Sequence, residues 1–375
     1  MSQRPLALIV LASALACTPS LVPPESVEVP CAPSLAPPES VEAPCAPSLV
    51  PPEAVEVPAS ADPREVARGV LPPDPAPVAP PPGAMGFDRA AEVLFLKGAD
   101  AGVLEACRGG EGDAVRCLIE ARYEGDGAAR REALALYDET GTVAGIERPH
   151  TMDGGYRGMI EIVPELPVGR HRRLLTWVLA ANRGYQTFFD GLQARASAPL
   201  GFRWRSLEMR FFRSVGRTTP SAYAIRWTVA FNVSGSLHRS EDAVRETLFH
   251  EVFHLNDEAH GRWSDEALGG IYEGIVERCK DGRGKPVTSC LRPFAPHGTM
   301  VRGGTFYAFQ PGNDVREYAA ELAIRYYREH QLILAGRRLD RPAFKCGSPE
   351  NARAWSLIAG EFFAGVDLVP PCRAP

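Results

Sequence analysis

Apolar positions follow two periodicities along most of the chain, and neither along its beginning. Over 87–97, 113–123 and 128–140 they recur every three to four residues, interrupted by Gly109-Gly110 and Gly125-Asp126-Gly127. That spacing predicts short helices with one buried face, and the glycines mark their ends. A longer helix is predicted over 170–194, where Leu174, Val178, Ala181, Tyr185, Phe188 and Leu192 form one stripe. The period then changes to two. Leu207, Met209 and Phe211 alternate with charged residues, and Ile225, Trp227, Val229, Phe231 and Val233 alternate over 225–233, which reads as one strand. Gly216 to Pro220 supplies a turn between them. Ser240 is a suitable N-cap for a further helix, with Glu241 and Asp242 in its first turn. The pattern predicts an α+β fold: a helical part over 86–150, then a domain over 151–375 built on a small sheet and a long helix.

Residues 1–85 need a different account. Residues 5–16 are almost wholly apolar, follow Arg4 and end in small residues, the form of a secretory signal over 1–16. Ala14-Leu15-Ala16 before Cys17 resembles the lipobox of bacterial lipoproteins, with the first two residues in reversed order. That resemblance implies lipidation of Cys17 and attachment to a membrane through the N-terminal lipid, at the outer membrane or cell surface rather than the inner membrane. Three 14-residue repeats begin at Cys17, Cys31 and Cys45, each with four prolines and two glutamates. Of the 35 prolines, 21 fall within 1–82, so the surplus belongs to this segment and not to the fold. The composition favours extended polyproline II, and about 65 residues at ~3.1 Å each would reach on the order of 200 Å. The segment 17–85 is therefore expected to be a disordered, Pro-rich tether.

Charge divides at the same place. Residues 17–85 carry nine acids and two bases; residues 86–375 carry 37 acids and 38 bases. The near-neutral balance, with no basic tract, argues against a nucleic-acid partner. Beyond Cys17 there are eight cysteines, an even number that suits disulfides in an exported protein. Cys107 with Cys117, Cys279 with Cys290 and Cys346 with Cys372 are the preferred pairs, among 15 pairings that six cysteines allow.

The chemistry is concentrated in His250-Glu251-Val252-Phe253-His254. Residues four apart share a helix face, so both imidazoles can ligate one zinc ion. Glu251 then lies beside the ion, placed to deprotonate water.

With that motif on a capped helix after a strand, the chain resembles the zincin metallopeptidases over about 110 residues, from the strand near Ile225 to the helix ending near His330. The resemblance implies a zincin-like catalytic domain, one Zn²⁺, and an edge strand that pairs with extended substrate, here 225–233. Two residues compete as third ligand. His260 stands where the metzincin pattern has its last histidine, although Asp257 replaces that family's glycine, and Met300 sits in a loop that resembles a Met-turn. Alternatively, Glu317-Tyr318-Ala319-Ala320-Glu321 resembles the third-ligand helix of the gluzincins. There Glu317 would ligate the ion and Glu321, one turn on, would support a ligand histidine. Small Ala319 and Ala320 between the acids point to close packing. By the same resemblance Tyr307 is the candidate donor to the oxyanion, with His297 in the same loop as the lesser one.

The expected function is zinc-dependent hydrolysis of peptide or protein substrates, with Glu251 and Tyr307 catalytic and His250, His254 and Glu317 on the metal. The alternative is a lipid-anchored surface binding protein whose zinc site is structural or inactive. The stretch 121–137 resembles one tetratricopeptide-type helical hairpin; a single unit does not make an array, and it reads as a helical cap on the main domain.

Overall fold

The computed structural model describes residues 85–96, 101–110, 112–154, 158–301 and 303–372. The predicted signal, Cys17 and the Pro-rich repeats lie outside the described residues. Among the described residues four helices come first: α1 (Phe87–Leu94), α2 (Ala101–Gly109), α3 (Ala114–Arg122) and α4 (Gly127–Thr140). Asp113 and Asp126 cap α3 and α4, each accepting from two backbone N–H groups of the first turn. Then come strands β1 (Val143–Ile146), β2 (His150–Asp153) and β3 (Met159–Pro164), helix α5 (Arg172–Gln193), and strands β4 (Glu208–Ser214), β5 (Ala222–Ile225) and β6 (Thr228–Asn232). Helices α6 (Glu241–Ala259), α7 (Trp263–Arg278), α8 (Thr288–Leu291), α9 (Val315–Leu334) and α10 (Pro349–Phe362) complete the order. The architecture is α+β, as the periodicities predicted.

Among the described residues the sheet is mixed and six-stranded, five strands in the order β2-β3-β4-β6-β5 and β1 beside β4 off that path. Strand β4 is its axis. β1 pairs with it in parallel over Glu208–Phe211, β3 antiparallel over its other end, and β6 in parallel along the opposite side. The expected division between 86–150 and 151–375 falls inside β2, a strand of this sheet, with β1 on its other side in the same sheet. The four N-terminal helices share a single hydrophobic core with α5, α6 and α9.

One sequence expectation is corrected, and a second alternating stretch is buried on both faces. The stretch 225–233 is not one strand. Arg226 and Trp227 have φ of 50° and 63°, and Ile225 pairs with Thr228, so a two-residue turn folds β5 back on β6. Positive φ at both central residues is the type I′ arrangement that suits the twist of a tight hairpin. β6 is thereby interior and β5 takes the sheet edge. The charges that alternate along β4 do not face water. Glu208 and Arg210 are buried, paired with each other at 3.3 Å, and Glu208 also takes Arg89 and the Thr228 hydroxyl.

The main core is aromatic. Tyr185 and Phe188 of α5, Phe249 of α6 and Tyr327 of α9 meet with ring centroids 4.7–6.2 Å apart, Phe249 stacking on Tyr327 at 4.7 Å. Burial of each such ring contributes roughly 1.5–3 kcal/mol. The cluster fixes α6 against α9, the two helices that carry the candidate ligands. The three expected cysteine pairs lie at disulfide distance, with Cα–Cα separations of 5.4, 5.4 and 5.3 Å. Among the described residues no helix is long and apolar enough to cross a membrane.

Candidate metal centre

Helix α6 begins where the sequence placed it: the Ser240 hydroxyl accepts from the Ala243 N–H at 3.2 Å, with Glu241 and Asp242 in the first turn. Ten residues on, His250 and His254 project from the same face. Their Nε2 atoms lie 3.0 Å apart. Glu317 comes from the first turn of α9, where Asp314 caps the helix and the positive end of its dipole favours a carboxylate. Its Oε2 is 3.1 Å from His250 Nε2 and 3.7 Å from His254 Nε2.

Two imidazole nitrogens and a carboxylate oxygen thus converge within 4.8 Å of one another, and this group can hold a metal ion. The donor set fits: mixed N/O ligands at one face suit zinc and other first-row divalent cations. The same atoms set one another's charge. Burial pushes the His250 imidazole down, but Glu317 outweighs it and lifts its pKa to about 9. Burial likewise raises the Glu317 carboxyl, and its hydrogen bonds to both histidines more than reverse that, holding it far below the usual carboxylate range.

Glu251 lies beside this group on the floor of a cleft of about 560 Å³. Burial raises its pKa, with His250 and His254 partly opposing. β5 lines one wall of the cleft, and Tyr307 faces it near Glu317. The Tyr307 backbone is pinned on both sides: its N–H donates to Thr299 O at 2.8 Å and its carbonyl accepts from Asn313 Nδ2 at 2.9 Å. Its ring centroid is 5.9 Å from that of His250. Burial and the adjacent Glu317 carboxylate push its hydroxyl pKa well above 10.

Glu321 sits one turn beyond Glu317, buried, with Oε1 3.8 Å from His250 Nδ1. Ala319 and Ala320 are wholly buried, in line with the close packing expected of them.

The other third-ligand candidate is placed elsewhere. α6 continues through Asp257 to Ala259, and the chain reverses only at Gly261 and Arg262, with φ of 73° and 62°. Asp257 faces forward to α7, accepting from the Ser264 N–H and hydroxyl at 2.7 Å each. His260 points to Glu361, Nδ1 to Oε1 2.6 Å, and packs on Phe362. Met300 is 49% exposed. His297 does not line the cleft either; it lies behind the metal group, 3.2 Å from Glu321 Oε2.

Several contributors were not read from the sequence. Glu246, one turn before His250, meets His297 and Arg328 at 3.3 and 3.2 Å. Its i, i+4 spacing to His250 was the available signal. Arg262 and Arg316 reach the cleft rim, each tied to an aspartate. No protein-family profile matches the chain, and neither a curated protein nor a solved structure does.

Proposed function

We propose that the chain is a zinc-dependent peptide hydrolase with a zincin-like catalytic domain, exported and tethered to a membrane through Cys17 and its Pro-rich segment. The observation that carries this reading is the meeting of His250, His254 and Glu317 beside a carboxylate, Glu251, that no described side chain hydrogen-bonds, in an open cleft walled by a sheet edge. His250, His254 and Glu317 would hold the ion. A bound zinc ion supplies Lewis-acid polarisation of the scissile carbonyl and acidifies water.

The remaining work falls to the chain. β5 has β6 on one side and no described strand on the other, so its free backbone groups can align an extended substrate across the cleft. Glu251 takes the proton from the attacking water and returns it to the leaving amine, and its raised pKa suits both transfers. The Tyr307 hydroxyl, kept protonated by its environment, donates a hydrogen bond to the oxygen that gains charge.

The test is Glu251→Gln, which preserves shape and removes the base. Zinc content should match the wild type while cleavage of a peptide library falls by about 10²–10⁴-fold. Cleavage at the native rate by this variant would overturn the mechanism. A wild type that loads zinc but cleaves no peptide would favour the binding-protein alternative.

A further inference from the structure

Behind the metal group lies a second set of charges that the reaction does not use. His297 occupies the space between α6 and α9, its side chain 16% exposed. Its Nδ1 is 2.7 Å from the Thr299 hydroxyl and 3.2 Å from Glu321 Oε2. Its Nε2 is 3.3 Å from Glu246 Oε2 and 3.0 Å from Arg328 Nη1. Arg328 closes the set with Glu246 Oε1 at 3.2 Å. Two carboxylates therefore face one guanidinium and one imidazole, with Glu246 on the helix of His250 and His254, and Glu321 on the helix of Glu317.

Glu321 is the exposed weakness of this arrangement. It is only 4% exposed, and its Oε2 is buried without a hydrogen bond. Two histidines flank its carboxylate, with His250 Nδ1 3.8 Å from Oε1 and His297 Nδ1 3.2 Å from Oε2. A buried carboxylate needs an opposing charge close by. A metal-binding imidazole, in turn, needs an acceptor at its far nitrogen to fix its ring and tautomer.

We infer that His297 is a positioning residue of the metal centre: by bridging Glu246 on α6 and Glu321 on α9, it ties the two ligand-bearing helices together and holds the Glu321 carboxylate toward Nδ1 of His250. This rests on the metal-binding reading given above. Without His297, Glu321 loses the ring nitrogen 3.2 Å from its Oε2 and is free to turn from His250, so that the imidazole is no longer steered toward the ion.

The experiment compares zinc affinity of the full chain, by competition with a chromophoric chelator, for wild type, His297→Ala, His297→Gln, Glu246→Gln and the double variant His297→Ala/Glu246→Gln. Thermal midpoints are read with and without zinc. Loss of an outer partner of a ligand histidine weakens metal binding by about 10–100-fold. That loss is expected for His297→Ala, with the gap between the two midpoints narrowing. His297→Gln, which keeps a donor, recovers part of it. The double variant His297→Ala/Glu246→Gln should bind no more weakly than His297→Ala alone, because the two act through one link. Wild-type affinity in the folded His297 variants, with both midpoints lowered equally, would overturn the inference and leave His297 a packing residue. If His297→Ala does not fold, the Gln variant decides. A wild type that binds no zinc would instead remove the metal reading itself.

Discussion

Replacing Glu317 with alanine takes away one of three converging donors and leaves two histidines 3.0 Å apart at Nε2. Loss of an outer partner already weakens a metal site by about 10–100-fold, so loss of the donor itself is set at 100-fold or more. At free zinc a thousandfold above the wild-type Kd, bound metal stabilises the fold by about 4.1 kcal/mol. A hundredfold weaker site at the same zinc gives about 1.4 kcal/mol. For a domain of this size each kcal/mol moves Tm by about 2 °C, so the zinc-induced rise should shrink by about 5 °C. His260→Ala is the matched comparison. It removes a 2.6 Å contact from His260 Nδ1 to a partly exposed Glu361 and a ring contact with Phe362. It should lower the melting temperature equally with and without zinc, by the small amount such surface pairs contribute. Calorimetry of the three proteins, each with chelator and with zinc, makes the comparison. The placement of the third ligand fails if His260→Ala abolishes the zinc-induced rise, or if Glu317→Ala leaves it intact.

Tyr307→Phe should lower kcat by about 10²–10³-fold with KM little changed, as for loss of one oxyanion donor, and steady-state kinetics on a cleaved peptide reads this directly. Gly145 lies on β1 where an added Cβ would sit 2.0 Å from the Val93 carbonyl oxygen of α1. Gly145→Ala must push backbone from backbone and should destabilise by roughly 1–3 kcal/mol or more in urea denaturation, with zinc affinity unchanged. Burial pushes His238 and His330 down to about 4. They stay neutral in the fold while the unfolded chain takes up protons, so their contribution is complete above pH 6.5 and falls away toward pH 4, by on the order of 3 kcal/mol each. For His297 burial acts downward, but Glu246 and Glu321 lift it to about 9, so its contribution is complete below 6.5 and is lost as pH rises through 9. The histidines together place maximum stability of the metal-free protein near pH 6.5; a profile rising steadily from pH 4 to 9 would contradict these environments.

The helix that sequence periodicity located best is one whose burial is one-sided. α5 spans Arg172–Gln193 against an expected 170–194, because its apolar stripe faces a single aromatic core. Two of the elements it missed break that condition, although β3 and α10, with one-sided burial, were missed as well. β1 is four residues buried on both faces, with no alternation to detect. α2 buries only Cys107 among its residues and is tied to α3 through Cys117. The hairpin at 222–232 was hidden for a more specific reason. A two-residue turn pairs Ile225 with Thr228 and so exchanges the faces of odd and even positions, yet apolar residues stay at odd positions through it, with Ile225 exposed on one face and Val229 and Phe231 buried on the other. The usual marker, Asn or Gly at positive φ, is absent because Arg226 and Trp227 take those angles. Trp227 is held there in part by the Arg203 guanidinium, 4.1 Å from its ring centroid.

The metal group was readable because each half is local. His250, Glu251 and His254 share one helix turn, and Glu317 and Glu321 share another, so helical spacing alone predicts which side chains travel together. What spacing does not contain is which turn meets which. The choice between Glu317 and His260 depended on where α6 ends. A glycine at 257 would have let the chain reverse there; Asp257 continues the helix and turns its carboxylate to the start of α7. By the time Gly261 permits the reversal, His260 has passed the site and met Glu361. The same residue that departs from the metzincin pattern is therefore the physical reason the fold selects the helix of Glu317. The supporting set of Glu246, His297 and Arg328 spans three segments of the chain, and only the packing of α6 on α9 brings those charges together.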